Sequence, residues 1–368
     1  MKILWIPHDT WRNPQRARLF CEKLCEKHEV HVTDITADFR SLGDFVSWRY
    51  IKSFFSWEFE DGGITVHHVP RISPALPFKS LRNLNSKIFS KHVGSIIKRE
   101  GIEAVVGTFV CPPPRAGRLI FDLFDDNSSY WLEYRKNKSY AEEIEAVERE
   151  YVDKADKIVA ASSVLAEKMQ RGRVHLIPNG VDLEKFKRAD GKKVRDELDL
   201  EGVVAGFISA FSDFSGLLKL VKSSELLNED VTFLIVGEGP LVSGAKKYVL
   251  RKNIRNFIFT GSVNFNEIHN YFKAIDIGLI PFDKKRFTDS ACPIKLLEYT
   301  AAGKPVVATE LEEIKRMNFS NVILVKDSVV SLADGIRRAL ESRIKIPRGI
   351  AKYDIDRLAR KYERVILG

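Results

Sequence analysis

A two-domain α/β architecture, each half a doubly wound Rossmann-like sheet, is the fold class that three features of this sequence predict. First, apolar runs at 3–7, 104–108, 203–208, 231–236 and 274–281 alternate with amphipathic stretches, as in parallel sheets covered by helices on both faces. Second, 368 residues are long for one core and suit two domains of about 180 each. Third, residues 283–309 read as loop, helix and strand, with the amino end of the helix built to receive an anion. The expected limits are 1–183 and 184–350 for the two domains and 351–368 for a last basic amphipathic helix.

In chain order, residues 3–7 make the first strand, and the loop 8–14 follows its carboxyl end, where such a sheet presents its ligand crevice. Thr10 and Arg16 are placed there to meet an acceptor, against the alternative of solvated loop charges. The helix 15–27 turns Ala17, Phe20, Cys21, Leu24 and Cys25 inward, and Val30 begins the next strand. Residues 45–59 hold seven aromatics interleaved with Arg49 and Lys52, and residues 71–99 hold Arg71, Lys79, Arg82, Lys87, Lys91, Lys98 and Arg99 with no acid. Together, residues 45–99 suit an anionic membrane surface, or else a buried aromatic cluster beside a solvated helix. No nucleic-acid motif accompanies them. After strands at 104–108 and 119–123 come Asp122, Asp125, Asp126 and Asn127. That acidic group reads either as a metal site or as a cap for a helix near Ser128, with Asp125 or Asp126 orienting an acceptor hydroxyl. A charged helix over 133–156 and a strand from Lys157 complete the half.

In the second half, Asn179-Gly180 is a turn signal and the polar stretch 184–195 reads as a hinge. Strands are expected at 203–208, 231–236, 256–260 and 274–281. The helix that follows starts at Pro293, is capped from the run Asp289 to Cys292, and stops at Gly303 and Pro305. The N–H groups of Ile294 and Lys295, the helix dipole and the Lys295 ammonium attract a phosphate or diphosphate, and Glu298, one turn on, is placed to accept from a ribose diol. An ordinary surface Lys and Glu pair at i,i+3 is the competing reading.

Composition sets the surroundings. Apolar residues make 44%, charged residues 30%, and the net charge is +9. No apolar run approaches the roughly 18 residues of a membrane span, and the opening MKILWIP reads as a strand broken by proline. The four cysteines have no CxxC spacing, so a reducing, cytoplasmic setting is expected, peripheral to the inner membrane face if the basic block binds lipid.

Pro293-Ile294-Lys295-Leu296-Leu297-Glu298-Tyr299, followed by Ala302-Gly303-Lys304-Pro305-Val306-Val307, resembles the donor-binding motif of family 4 glycosyltransferases of the GT-B fold. Ile177-Pro178-Asn179-Gly180-Val181-Asp182 is similar to the segment joining their two domains. Residues 233–240 and 259–263 resemble two of their carboxyl-domain strand ends. The resemblance implies two domains facing a cleft, with the last helix crossing back onto the first. It also implies retaining transfer of a hexose from a nucleotide diphosphate-sugar to a hydroxyl on a lipid-linked or polysaccharide glycan, with no metal or other cofactor. Carried over residue by residue, it places Lys295, Ile294, Glu298, Ser209, Phe211, Gly261 and Val263 at the donor. The family's first glutamate falls on Ser290, with Asp289 beside it as a substitute, so Lys295 and Asp289 are the expected catalytic pair.

This sequence departs from the family at other points. The first loop has no glycine pair, no histidine stands between His92 and His175, and the loop 209–215 has neither Arg nor Lys, Lys219 being the nearest cation. A catalytically silent subunit and a nucleotide-sugar epimerase therefore remain as alternatives. A nicotinamide dehydrogenase is disfavoured, since no GxGxxG follows the first strand.

Overall fold

The computed structural model describes residues 1–8, 10, 11, 16–35, 54–72, 78–169, 173–341 and 347–368. The first sheet contains β1 (Lys2–Trp5), β2 (Glu29–Asp34), β3 (Trp57–Asp61), β4 (Ile64–His68), β5 (Ala104–Gly107), β6 (Arg118–Leu123), β7 (Lys157–Ala160) and β8 (Val174–Leu176), in the order β3-β4-β2-β1-β5-β6-β7-β8. Its neighbours run parallel except for the antiparallel pair β3 and β4. The second sheet contains β9 (Val203–Ile208), β10 (Val231–Val236), β11 (Phe257–Gly261), β12 (Ile277–Ile280), β13 (Val306–Thr309) and β14 (Val322–Val325), in the order β11-β10-β9-β12-β13-β14 and wholly parallel. The expected α/β class of two Rossmann-like sheets is what the chain adopts. Strand order reverses between β1 and β5 and between β9 and β12, and ligands enter such sheets beyond the carboxyl ends at these points.

Alternation along each buried strand divides the first half into two cores. Ile3, Trp5, Val30, Val32, Ile64 and Val66 pack on one face with the helix Arg16–Leu24 and with Leu358, Tyr362 and Val365 of the last helix, Ile355–Leu367. Leu4, Ile6, Val105, Phe121 and Ile158 pack on the other with the helices Lys79–Glu100 and Lys138–Lys154. Tyr362 is fully buried and stands 5.0 Å from both Trp5 and Phe20, so burying its ring contributes about 2 kcal/mol to docking the last helix.

Three local expectations change. The aromatic stretch 45–59 lies mostly outside the described residues, but its end forms β3, where Trp57 stacks on His68 of β4. The charged helix starts earlier, at Asn127, and is interrupted after Glu133: Lys136 takes a left-handed φ of 52°, and Asn137 then caps the second segment by accepting from the Tyr140 N–H. The stretch 184–195 forms two short helices, Leu183–Arg188 and Lys192–Glu197, because Asp182 caps the first and Phe186 and Val194 are buried. Among the described residues no helix is long and apolar enough to cross a membrane.

Candidate active site

The helix Ile294–Ala301 begins beyond the carboxyl end of β12, beside the reversal of strand order in the second sheet. Pro293 is its cap residue, with extended backbone, and it has no N–H to leave unsatisfied. None of Asp289 to Cys292 caps it with a side chain, which corrects the expectation for that run. Tyr299 holds the helix down: its hydroxyl accepts from the Ile208 N–H and donates to the Gly206 carbonyl, each at 3.0 Å. Gly278 on β12 lies so close to the Tyr299 ring that a Cβ there would collide with it.

At the amino end, the N–H groups of Ile294 and Lys295 have no acceptor among the described residues. Lys295 Nζ lies 2.8 Å from Glu298 Oε2 and 5.3 Å from the Phe272 ring centroid. The pair is close enough for an ion pair but lacks hydrogen-bond geometry, so Glu298 Oε2 is a buried oxygen with no hydrogen-bond partner among the described residues. Glu298 is 7% exposed, which separates it from an ordinary surface pair. The helix therefore presents free donors, one cation and one buried acceptor within its first two turns.

Other expected donor residues are differently engaged. Ser290 is buried; its hydroxyl donates to the Phe287 carbonyl, and its own carbonyl accepts from Ser162 Oγ of the first half. Asp289 Oδ1 accepts from the Glu312 N–H at 2.9 Å, so this oxygen serves the helix Glu312–Met317 instead of a sugar. Phe211 is fully buried in the second core with a φ of 36°, and its side chain is closed to a donor. Ser209 is half-buried and gives its N–H to Val236. The Gly261 carbonyl accepts from the Gly237 N–H, with Val263 half-exposed beyond it. Lys219, the nearest cation to the loop 209–215, is tied to Asp283, Asp327 and the Phe282 carbonyl.

Across the cleft, the acidic group divides. Arg16 is 6% exposed and chelates Asp122 through Nε and Nη2, each at 3.0 Å, so it is a buried structural cation and not a receptor for an anionic acceptor. Asp126 is buried and takes Lys168 at 2.9 Å and, from the second half, Arg286 at 3.1 Å; these charges hold its carboxyl below the usual range against the opposing cost of burial. Asp126 therefore joins the two halves. Asp125 has no side-chain partner among the described residues, and burial, then the Asp126 charge, pushes its carboxyl up to about 7. Among the described residues, Asp122, Asp125 and Asp126 do not gather into a group that could hold a metal ion. Thr10 is half-buried in the loop after β1.

The halves meet in further contacts that single-residue reading missed. Glu133 accepts from the N–H groups of Arg286 and Phe287, capping a short helix of the second half. Glu313, 5% exposed, accepts from Ser163 N and Oγ and from Val164 N at the start of the helix Ser163–Met169. Tyr130 and Tyr134 pack with Phe214 and Phe287. Asn179, legible in the sequence only as a turn residue, donates to the Cys292 carbonyl at 2.6 Å.

Residues 202–342 match the protein-family model described as Glycosyl transferases group 1. A Bacillus subtilis (strain 168) protein, TuaH, whose name describes a teichuronic acid biosynthesis glycosyltransferase, is 33% identical over 186 residues, which are 47% of this chain and 45% of that protein. The chain spans about half the length of the first curated relatives it matches. Among solved structures, sucrose-phosphate synthase from Thermosynechococcus elongatus superposes with a TM-score of 0.79 at 14% identity, over 99% of this chain and 98% of that one. Anabaena Alr3699/HepE in complex with UDP and glucose superposes with a TM-score of 0.73 at 16% identity, over 100% of both chains. The fold is the GT-B arrangement of two facing Rossmann-like sheets.

Proposed function

We propose that this chain, whose second half matches the group 1 glycosyl transferases, moves a hexose from a nucleoside diphosphate-sugar to a hydroxyl acceptor with retention at the anomeric carbon. The observation that carries this reading is the amino end of the helix Ile294–Ala301: free N–H groups and the Lys295 ammonium for a diphosphate, and the buried Glu298 carboxylate, ion-paired with Lys295, one turn away for a ribose. Uridine diphosphate is the favoured carrier, since the similar HepE structure holds UDP.

In the reaction, the bond from the anomeric carbon to phosphate oxygen breaks and its electron pair passes to the diphosphate. The helix amides, the dipole and Lys295 stabilise that charge without reorganising, so the step needs no resident metal. The acceptor oxygen bonds to the same face of the carbon, and its proton passes to the leaving phosphate oxygen. Ionised Asp125 orients the acceptor hydroxyl by accepting its hydrogen bond before transfer. No enzyme nucleophile is assigned.

The acceptor we propose is a glycan, lipid-linked or polymeric, approached from the first half at a cytoplasmic membrane face. Exposed Phe78, the cap residue of the basic helix Lys79–Glu100, and exposed Phe54 and Phe55 elsewhere in the first half support contact with anionic lipid. Binding to vesicles of phosphatidylglycerol and phosphatidylcholine is expected to fall as salt rises; equal binding to pure phosphatidylcholine at every salt concentration would remove the electrostatic part of this reading.

The central test is calorimetric titration with UDP, GDP, ADP, dTDP and CMP, with and without magnesium. Micromolar binding of one diphosphate without metal is the expected result. Binding of none of the panel would favour a catalytically silent subunit, which the engagement of Asp289 and Ser290 elsewhere would then explain.

A further inference from the structure

We propose that Asn179 is a positioning residue, held by Arg16, that ties the start of the helix Ile294–Ala301 to the hinge between the two sheets. The inference rests on the donor-site reading above and extends it to how that helix is set relative to the first half. The chain passes between the halves near residues 177–182 and again near 347–355, and the two passages run side by side. The Val181 N–H donates to the Tyr353 carbonyl at 2.9 Å, and the Ile355 N–H donates to the Val181 carbonyl at 3.0 Å. Gly180 lies tightly against Ile355, whose Cα would stand 3.2 Å from an added Cβ, so the crossing is packed and not slack.

Asn179 sits in this crossing and has both ends of its amide occupied. Its Nδ2 donates to the Cys292 carbonyl at 2.6 Å, and its Oδ1 faces Arg16 Nη1 at 3.4 Å. That carbonyl belongs to the peptide bond leading into Pro293, the cap residue of the donor helix. Pro293 has no N–H, and no side chain caps the helix, so Asn179 supplies a side-chain hydrogen bond next to the helix start, two residues beyond the Ser290 carbonyl that Ser162 Oγ holds. Arg16 in turn cannot drift. It is chelated by Asp122 at the end of β6 and stands over the rings of Phe20 and Tyr362 at 4.9 and 5.8 Å.

The path from β6 through Asp122, Arg16 and Asn179 to Cys292 therefore crosses from the first sheet to the donor helix through the hinge. Since Asp122 neutralises Arg16, the path brings no net charge to compete with a bound diphosphate. Rotation of one half on the other moves Asn179, and with it the amides of Ile294 and Lys295.

The test uses the full chain as wild type, Asn179→Ala and Asn179→Asp. The aspartate keeps an oxygen toward Arg16 but has no donor for the Cys292 carbonyl, so it isolates the link to the helix. Hydrogen–deuterium exchange of a peptide spanning 288–298 is expected to rise at least fivefold in both variants. Peptides over β9 and β10 should stay within twofold of wild type, and saturating UDP should restore protection at 288–298. Unchanged exchange at 288–298 in Asn179→Asp would overturn the proposal, as would a rise shared equally by β9 and β10, the mark of general destabilisation. A wild type that does not bind UDP at all would overturn the uridine diphosphate reading instead, while the exchange comparison without ligand would still decide whether Asn179 holds the helix.

Discussion

On the second-sheet wall of the cleft, the N–H groups of Ile294 and Lys295 and Glu298 Oε2 have no hydrogen-bond partner among the described residues; on the first-sheet wall, Arg16, Asp122 and Asp126 are all engaged, and of that group only Asp125 is not. A helix start leaves its first N–H groups open, and an anionic ligand completes them where one binds. On the proposed reading, the second wall is a site assembled before its ligand arrives. The first wall uses charge to hold the halves together, through the contact of Asp126 with Arg286 and of Glu133 with the backbone at 286–287, and leaves the Asp125 carboxyl without a side-chain partner among the described residues.

The largest expected effect breaks the second wall. Lys295→Ala removes the one side-chain cation of the helix start while leaving the amides. Binding of UDP is expected to weaken by about 3 kcal/mol, more than a hundredfold, because the diphosphate loses a close opposite charge. The fold should change little, since Lys295 is a quarter exposed and Tyr299 pins the helix. If calorimetry shows UDP affinity within threefold of wild type, the diphosphate is not at this helix, and the contrast between the walls has no functional meaning.

The next tests the single free group of the first wall. Asp125→Asn is expected to lower the rate of transfer by about 2 kcal/mol, roughly thirtyfold, without weakening UDP. Burial and the adjacent Asp126 raise the Asp125 carboxyl from 3.8 to about 7. The folded chain therefore holds this proton more tightly than the unfolded chain, and stability is lost as pH climbs through that window. Two consequences follow from the one shift: wild-type turnover rises with pH through about 7 as the carboxylate forms, and Asp125→Asn melts higher than wild type above pH 7 but not near pH 4. A variant whose pH–rate profile still rises through 7 would place the titrating group elsewhere.

The contrast between the walls also explains what could be read from the sequence. The second wall is local: Pro293, Lys295, Glu298, Gly303 and Pro305 lie within thirteen residues, and helix spacing alone brings the amides, cation and carboxylate together. The first wall is assembled at long range. Arg16 meets Asp122 across 106 positions and Asp126 meets Arg286 across 160, so no spacing rule assigns those partners, and the charges looked available when they were not. Phe211 is hidden for another reason: helix and strand spacing do not reveal that a loop residue with a φ of 36° is fully buried in the second core. Asp289 failed similarly, because the amino end of the helix Glu312–Met317 needs a cap that only the fold brings near.

The smallest expected effect sharpens the comparison within the second wall, by asking whether its buried carboxylate reads the sugar of the nucleotide. Glu298→Gln preserves shape but replaces one of two acceptor oxygens with a donor, next to Lys295 at 2.8 Å. A ribose diol offers two hydroxyl donors, so one hydrogen bond is lost or turned round, at a cost of about 1 kcal/mol or roughly fivefold in UDP affinity. The same loss of affinity arises if Lys295 is left without its carboxylate, which is why affinity alone does not identify the contact. Comparing UDP with 2′-deoxyuridine diphosphate on both proteins separates the two effects. If Glu298 accepts from the diol, removing the hydroxyl and removing the carboxylate cost less together than the sum of each alone. Equal weakening of both ligands by Glu298→Gln would mean that the buried oxygen serves Lys295, and the diphosphate would then be the only part of the nucleotide that this helix recognises.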